Sequence, residues 1–226
     1  MRRSSLVVGG LAVGLAVLGP GCGSDKEPDF ADPNVAATAA NPQGVPYPTD
    51  HLGANARANG RPGDRLPNFS FQAYVNGDRA AGLKTVSLAD YFDPKAEDHK
   101  ILIVLVAATW CSICASVSED LVPQKTALEA QGARFLEVVV NGNTLNEGPS
   151  LGDVDAWVIR HQSNYTTAID VRAKRMGSLG VNTVPWSMIV DTRTMEILEG
   201  GAGAPASMSR YVKAGLDFVT TNPPSY

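Results

Sequence analysis

Cysteine and histidine are scarce in this chain, with three of each in 226 residues. That scarcity limits the chemistry it can perform. Zinc sites use about four ligands and characteristically pair one C-x-x-C with a second, or with closely spaced histidines. Here a single C-x-x-C exists, and His51, His99 and His161 are far apart in sequence. A disulfide-rich scaffold is excluded by the same count. No block of Lys or Arg interleaved with aromatics points to nucleic acid, and the formal net charge of −4 names no partner by itself. Internal repeats are absent, and "GGAGA" after a C-terminal apolar run lacks the other features of a nucleotide loop. No apolar run reaches the 18–20 or so residues that span a bilayer.

What is present begins with an export pattern. "MRRSS" is a basic n-region, and "LVVGGLAVGLAVL" is an apolar stretch of about 13 residues, the length of a signal h-region. It runs into "GPGC", which ends on Cys22, the one cysteine outside the central pair. Residues 23 to about 64 are rich in Pro, Gly, Ala, Asn and Asp without apolar periodicity, and read as a flexible tether. Within it, Tyr47, His51 and Leu52 are candidates to pack on the domain. The expected organisation is a signal over 1–21, a tether over 22–64 and a folded domain over 65–226. With 44% hydrophobic and 19% charged residues, that domain has enough apolar material for a core.

Strands are expected at "NFSFQAYV", "KTVSL", "ILIVLVAA", "ARFLEVVVN", "YTTAIDV", "PWSMIVD" and "MEILEG". The run Ile101–Ala108 has the unbroken apolar character of a strand buried on both faces. A helix is expected from Ser112 to about Ala130, kinked at Pro123, with Gly132 beyond its end. "SLADYF" opens a short helix capped by Ser87. "GDVDAWVIRHQ" is a helix capped by Asp153, "RAKRMGSLG" a short one, and "SMSRYVKAGLDFV" the last. The order is that of an α/β fold with a mixed central sheet flanked by helices. "EDHK" over 97–100 reads as a solvated turn. Trp157 and Met188 read as core, and His161 as a surface or satisfied core residue.

The remaining cysteines stand in "AATWCSICASVSEDL", at 111 and 114. The pair admits three readings: a disulfide staple, half a metal site or a redox centre. A staple closing so short a loop restrains the unfolded chain little. The redox reading has a physical basis, because Cys111 falls at the start of a helix, where free N–H groups and the helix dipole stabilise a thiolate. Cys114, one turn on and more buried, remains a thiol that can resolve a mixed disulfide.

"VAATWCSICASVSEDL" resembles the active site of the thioredoxin superfamily, and the closer match is its redoxin-like TlpA/ResA-type branch of exported, membrane-anchored thiol–disulfide oxidoreductases. The resemblance extends over about residues 65–222, including "GDRLPNFSF", "QGARFLEVVVNGN" and "LGVNTVPWSMIVD". It implies a thioredoxin-like fold with an N-terminal strand extension and an inserted helix–strand. It also implies Cys111 as attacking thiolate and Cys114 as resolving thiol, with no organic cofactor or metal. The family's cis-proline maps onto Pro185, facing the cysteine pair, with the backbone of Val184 pairing with substrate peptide; from the residues alone, Pro185 could equally be a trans proline opening a strand. Trp110 beside the thiols and Trp186 after the proline are the other candidate substrate-binding residues. The N-terminus resembles a bacterial lipoprotein signal, which implies cleavage before Cys22, lipid on its sulfur and a domain facing the periplasm from either membrane. Partners would be exported protein thiols or disulfides and a separate redox donor or acceptor.

Two departures stand out. Where thioredoxin has a buried acid, six residues before the first cysteine, this chain has Leu105. Where ResA-like proteins often carry Glu, six residues after it, stands Val117. Glu119 could substitute from the next turn, water could serve, or turnover could be slow. Ser112-Ile113 between the cysteines sets no direction of exchange. The C-x-x-x-C of copper-delivery relatives and the P-x-x-x-T-x-x-C of thiol peroxidases are both absent; Thr109 lies only two residues before Cys111. The alternative from another class is a lipid-anchored binding or scaffold module whose disulfide is static.

Overall fold

Seven strands make one mixed sheet in the order β2-β1-β5-β4-β3-β6-β7 in the computed structural model, which describes residues 36–49, 62–142 and 148–224. Cys22, His51, Leu52 and the export segment lie outside the described residues.

The centre is β3 (Ile101–Ala108), whose eight residues are all buried. It pairs in parallel with β4 (Ala133–Asn141) and antiparallel with β6 (Trp186–Asp191). β4 continues in parallel to β5 (Thr166–Ile169). The hairpin of β1 (Ser70–Tyr74) and β2 (Lys84–Ser87) extends the sheet beyond β5, and β7 (Glu196–Ala202) closes the other edge. Continuous Val, Ile and Leu runs suit central strands covered on both faces. Period-two alternation then divides them. Leu102, Val104, Val106, Leu136 and Val138 enter one core, with Phe69, Phe71 and Met176. Ile101, Ile103, Leu105 and Phe135 enter the opposite one, with Leu121 and Val212.

The second face is covered by α1 (Ser112–Leu121), α3 (Leu151–His161) and α5 (Met208–Thr221). α1 buries Cys114, Ser118 and Leu121, spaced by one turn each, and leaves its other polar positions exposed. The expected long helix is divided: α1 ends at Leu121, Pro123 lies in the break, and α2 (Lys125–Glu129) resumes before Gly132, which adopts φ +105°.

Several local expectations need correction. The cap of α3 is Ser150, not Asp153. The Ser150 hydroxyl accepts from Asp153 N–H, and the Asp153 carboxylate accepts from Ser150 N–H, so Asp153 is the third residue of a capping box. "EDHK" is not a wholly solvated turn, because it wraps around the buried Asp93. The Asp93 carboxylate accepts from the backbone N–H groups of Glu97, Asp98 and His99. This draws the His99 ring inside, with Nε2 2.7 Å from the Tyr91 carbonyl oxygen. Within the expected tether, the candidate Tyr47 does pack on the domain. Tyr47 is buried, donates its hydroxyl to the Leu66 carbonyl at 2.6 Å and meets the Phe92 ring edge-on.

Candidate functional site

β3 delivers the site. Its last residues, Ala107 and Ala108, pack with Cys111, Cys114, Val139 and Trp157 in a small cluster above the main cores. Cys111 is the N-cap residue of α1. Its backbone is extended (φ −84°, ψ 102°), and its sulfur accepts the Cys114 N–H at 3.1 Å. The first sulfur therefore occupies the N-cap position, where helices bind negative charge. Cys111 and Cys114 form a disulfide, with 5.2 Å between their Cα atoms.

The two sulfurs differ in surroundings. Cys114 sits on the inward face of α1 and is 2% exposed, whereas Cys111 is 8% exposed at the helix tip. Trp110 and Ile113, next to Cys111 and between the two cysteines, are exposed by 47% and 58%, so an apolar apron borders the less buried cysteine. From Ile113 a groove of about 260 Å³ runs over Val117 and Asp120 to Pro205 and Met208. It continues past residues 204–207 into one of about 470 Å³ between β7 and α5.

The Val184–Pro185 peptide bond is cis. Val184 packs against the cysteine cluster, and Pro185 is buried beside Cys114 in the wall of a small cavity. The Pro185 carbonyl accepts from Gly203 N–H at 2.8 Å. Among the described residues no backbone hydrogen bond engages Val184. Trp186 is half-buried and lines the same cavity, and its indole N–H is buried without a partner among the described residues. Trp110, Val184, Pro185 and Trp186 thus all lie near the cysteine pair. Cys22 lies outside the described residues. Among the described residues no group of three or more His, Cys, Asp and Glu could hold a metal ion, and no helix is long and apolar enough to cross a membrane.

The acid beside the buried sulfur is none of those considered from the sequence. Glu119 is 65% exposed at its side chain and pairs with His161 Nδ1 at 3.3 Å. That ring is buried, and packs at a 55° tilt against Trp157 with 4.2 Å between centroids. The buried carboxylate is Glu137, on β4 in register with Leu105. It is 1% exposed and lines the cavity that Cys114 lines. Its Oε1 accepts from Ser118 at 2.7 Å; its Oε2 accepts from the Trp157 indole at 2.8 Å and the Tyr165 hydroxyl at 3.3 Å. Burial pushes this carboxyl above the usual glutamate range, and the three donated hydrogen bonds oppose that shift. Its sequence signal was the lone acid in "FLEVVV", since a fully buried Glu is rare unless paired.

The AhpC/TSA family model matches residues 62–197. The chain belongs to the AhpC/TSA family. Its fold is thioredoxin-like, and similar solved structures include the thioredoxin domain of a Bacteroides vulgatus thiol-disulfide oxidoreductase. That likeness has a TM-score of 0.53 at 15% identity, covering 69% of this chain and 97% of that one. Mycobacterium tuberculosis AhpC aligns with a TM-score of 0.54 at 16% identity, over 73% of this chain and 95% of its own. Enterococcus faecalis AhpC aligns with a TM-score of 0.54 at 17% identity, over 74% and 98%. At these identities the structural likeness bears on fold alone. No curated protein sequence matches the chain significantly. Family membership, together with the bonded Cys111–Cys114 pair, supports thiol–disulfide redox chemistry.

Proposed function

We propose that this protein is a thiol–disulfide oxidoreductase that exchanges dithiol for disulfide with exported proteins, held by lipid on Cys22 to a bacterial membrane with its domain facing the periplasm. The observation that carries the exchange reading is the asymmetry of the bonded pair. Cys111 is the N-cap of a helix and the less buried sulfur, 8% exposed beside an apolar apron, and Cys114 lies one turn inside at 2%. A thiolate at Cys111 attacks a partner disulfide, and the mixed disulfide is then resolved by Cys114. The unengaged backbone of Val184 offers the partner's extended chain two hydrogen bonds, while Trp110 and Trp186 supply apolar contact. A separate redox donor or acceptor completes the cycle.

The test is substitution of each cysteine. Cys111→Ser abolishes insulin reduction and dithiol oxidation, and Cys114→Ser accumulates mixed disulfides through Cys111. Wild-type exchange rates in both variants would overturn the reading. So would a reduction potential below about −300 mV, which would mark the bond as a static structural one. Cys22→Ser releases the protein from the membrane fraction if the anchor is lipid, and unchanged fractionation would count against it.

A further inference from the structure

Resolution by Cys114 requires a buried thiol to lose its proton, since the thiolate is the attacking species. Both positions at which the resembled families carry an acid are apolar here, Leu105 and Val117. Glu137 is brought to the place from the neighbouring strand. Register pairs it with Leu105, and the cavity it shares with Leu105 and Val117 is walled by Cys114. That cavity measures about 10 Å³, about the space of one water. We propose that Glu137 is the proton acceptor and donor for Cys114, acting directly or across one water in this cavity. The inference rests on the exchange reading above and assigns the step which that reading leaves open.

The step balances as follows. A partner disulfide attacked by the Cys111 thiolate gives a Cys111–partner bond and one partner thiolate, which takes a proton from solvent. Cys114 Sγ–H then gives its proton to the Glu137 carboxylate, and its sulfur attacks Cys111 Sγ. The Cys111–Cys114 bond forms, the Cys111–partner bond breaks, and the second partner sulfur leaves with the electron pair and is protonated by solvent. The partner gains two electrons and the cysteine pair loses them. In the opposite direction a partner thiolate attacks Cys111, Cys114 leaves as thiolate, and protonated Glu137 supplies its proton.

The surroundings suit both states. The titratable groups facing Glu137 are Cys114 from α1 and Tyr165 ahead of β5; Ser118 of α1 and Trp157 of α3 complete its contacts. None of the hydrogen bonds and ion pairs of its carboxylate among the described residues involves a Lys or Arg that would hold it ionised. Burial favours its neutral form while three donors keep the anion attainable.

A merely structural role is separable from this one, because Glu137→Gln can keep the network. With its carbonyl toward Trp157 and Tyr165, its amide donates to Ser118 Oγ. Ser118 then turns its own hydrogen to the Cys114 carbonyl, 3.2 Å away. Reduced protein is mixed with the aromatic disulfide DTNB, which releases one thionitrobenzoate on attack by Cys111 and a second on resolution by Cys114. In Glu137→Gln the first release stays within about twofold. The second slows about 100-fold and loses its acid-side inflection over about pH 5–9. Leu105→Glu added to Glu137→Gln restores carboxylate to the cavity and recovers part of the second rate. If wild type shows no second release, the exchange reading fails. If wild type resolves and folded Glu137→Gln resolves at the same rate with the same pH profile, the proton role of Glu137 fails. Should Glu137→Gln not fold, wild type decides alone: a second phase governed by one thiol ionisation, without an inflection on its acid side, overturns the proposal.

Discussion

Glu137 on β4 stands in register with Leu105 on β3, and both side chains line the cavity that Cys114 closes. The relationship turns an apparent gap into a transposition. An acid absent from the strand that leads into the cysteines stands on its parallel neighbour, at the same height in the sheet. Parallel pairing makes this possible, because registered residues on adjacent strands point to the same face. A carboxylate there also serves packing, since it ties α1 through Ser118, α3 through Trp157 and the start of β5 through Tyr165.

Removing that carboxylate without replacing its acceptors should therefore be costly. In Glu137→Leu the Ser118 and Tyr165 hydroxyls and the Trp157 indole lose a buried acceptor. One buried donor left unpaired costs about 1–3 kcal/mol, and Ser118 and Tyr165 can re-aim. The expected loss is about 2–3 kcal/mol, read as a fall in melting temperature of about 4–12 °C for a domain of this size. Glu137→Gln melts higher than Glu137→Leu. Equal melting temperatures for the two would show that the donors do not depend on this acceptor.

The exposed apron should matter for partners and not for the fold. Trp110→Ala and Ile113→Ala remove side chains that are about half exposed, and should cost the fold about 1 kcal/mol or less. Exchange with a protein disulfide such as insulin should slow about tenfold or more in the double variant, in keeping with loss of aromatic contact at a docking surface. Reaction with a small aliphatic disulfide should be little changed. Equal slowing of both substrates would move the apron's role from docking to the reactivity of Cys111.

Local pattern made most of the fold legible. Unbroken Val and Ile runs marked β3 and β4, alternation marked β1, and the C-x-x-C motif with the following apolar positions marked α1. Ser87 was read as a cap from its own neighbourhood, and its hydroxyl accepts from Ala89 N–H. What local pattern left open or misplaced has physical reasons. Glu137 is satisfied by residues 19, 20 and 28 positions away, so its apolar neighbours in "FLEVVV" signal burial but not the partners that permit it. Tyr47 stands in a Pro-rich stretch without periodicity, yet its hydroxyl finds a carbonyl 19 residues on. Asp153 and Ser150 are the two halves of one capping box. A rule for acidic first-turn residues selects the wrong half when the serine lies just outside the apparent helix.

Tyr47 gives the next expectation. If its ring is part of the core, Tyr47→Ala costs about 3–5 kcal/mol, the usual range for deleting a buried aromatic. Tyr47→Phe keeps the ring against Phe92 and loses one hydrogen bond, about 1 kcal/mol. Chemical denaturation of the oxidised protein measures both. A negligible effect of Tyr47→Ala would mean that residues 36–49 add nothing to the stability of the sheet domain.

Two glycines with the same backbone angle separate conformational strain from steric exclusion. Gly77 and Gly82 both adopt φ +69°. A Cβ on Gly77 would lie 1.8 Å from the Ser163 carbonyl oxygen, whereas one on Gly82 would meet nothing within 4 Å. Gly82→Ala should cost the left-handed strain alone, about 1–2 kcal/mol. Gly77→Ala must in addition push the turn after β1 off the segment between α3 and β5, and should cost more than about 2 kcal/mol. Similar melting temperatures would show that the Gly77–Ser163 approach relaxes freely.

The pH dependence of stability carries a sign set by Glu137. Its carboxyl is raised in the fold, chiefly by burial, above the ordinary value of 4.5. A raised acid binds its proton more tightly when folded than when unfolded, so its contribution to stability is fully present below the unfolded value. It is lost as pH rises through the folded one. Glu137→Gln stays neutral throughout and lacks this loss. The melting temperature of Glu137→Gln relative to wild type, both oxidised, should therefore climb as pH is raised from 4.5 through the folded value, and level off above it. Subtraction of the two curves removes every other titrating group that the substitution leaves alone, including Asp170, whose carboxyl is likewise raised by burial. A difference that stays flat from about pH 3 through this range would show that Glu137 titrates in the fold as it does in the unfolded chain. A difference that falls between about pH 3 and 4.5 and is flat above would show that its hydrogen bonds from Ser118, Trp157 and Tyr165 outweigh its desolvation. Glu137 would then be held as an anion and could accept a proton from Cys114 only weakly.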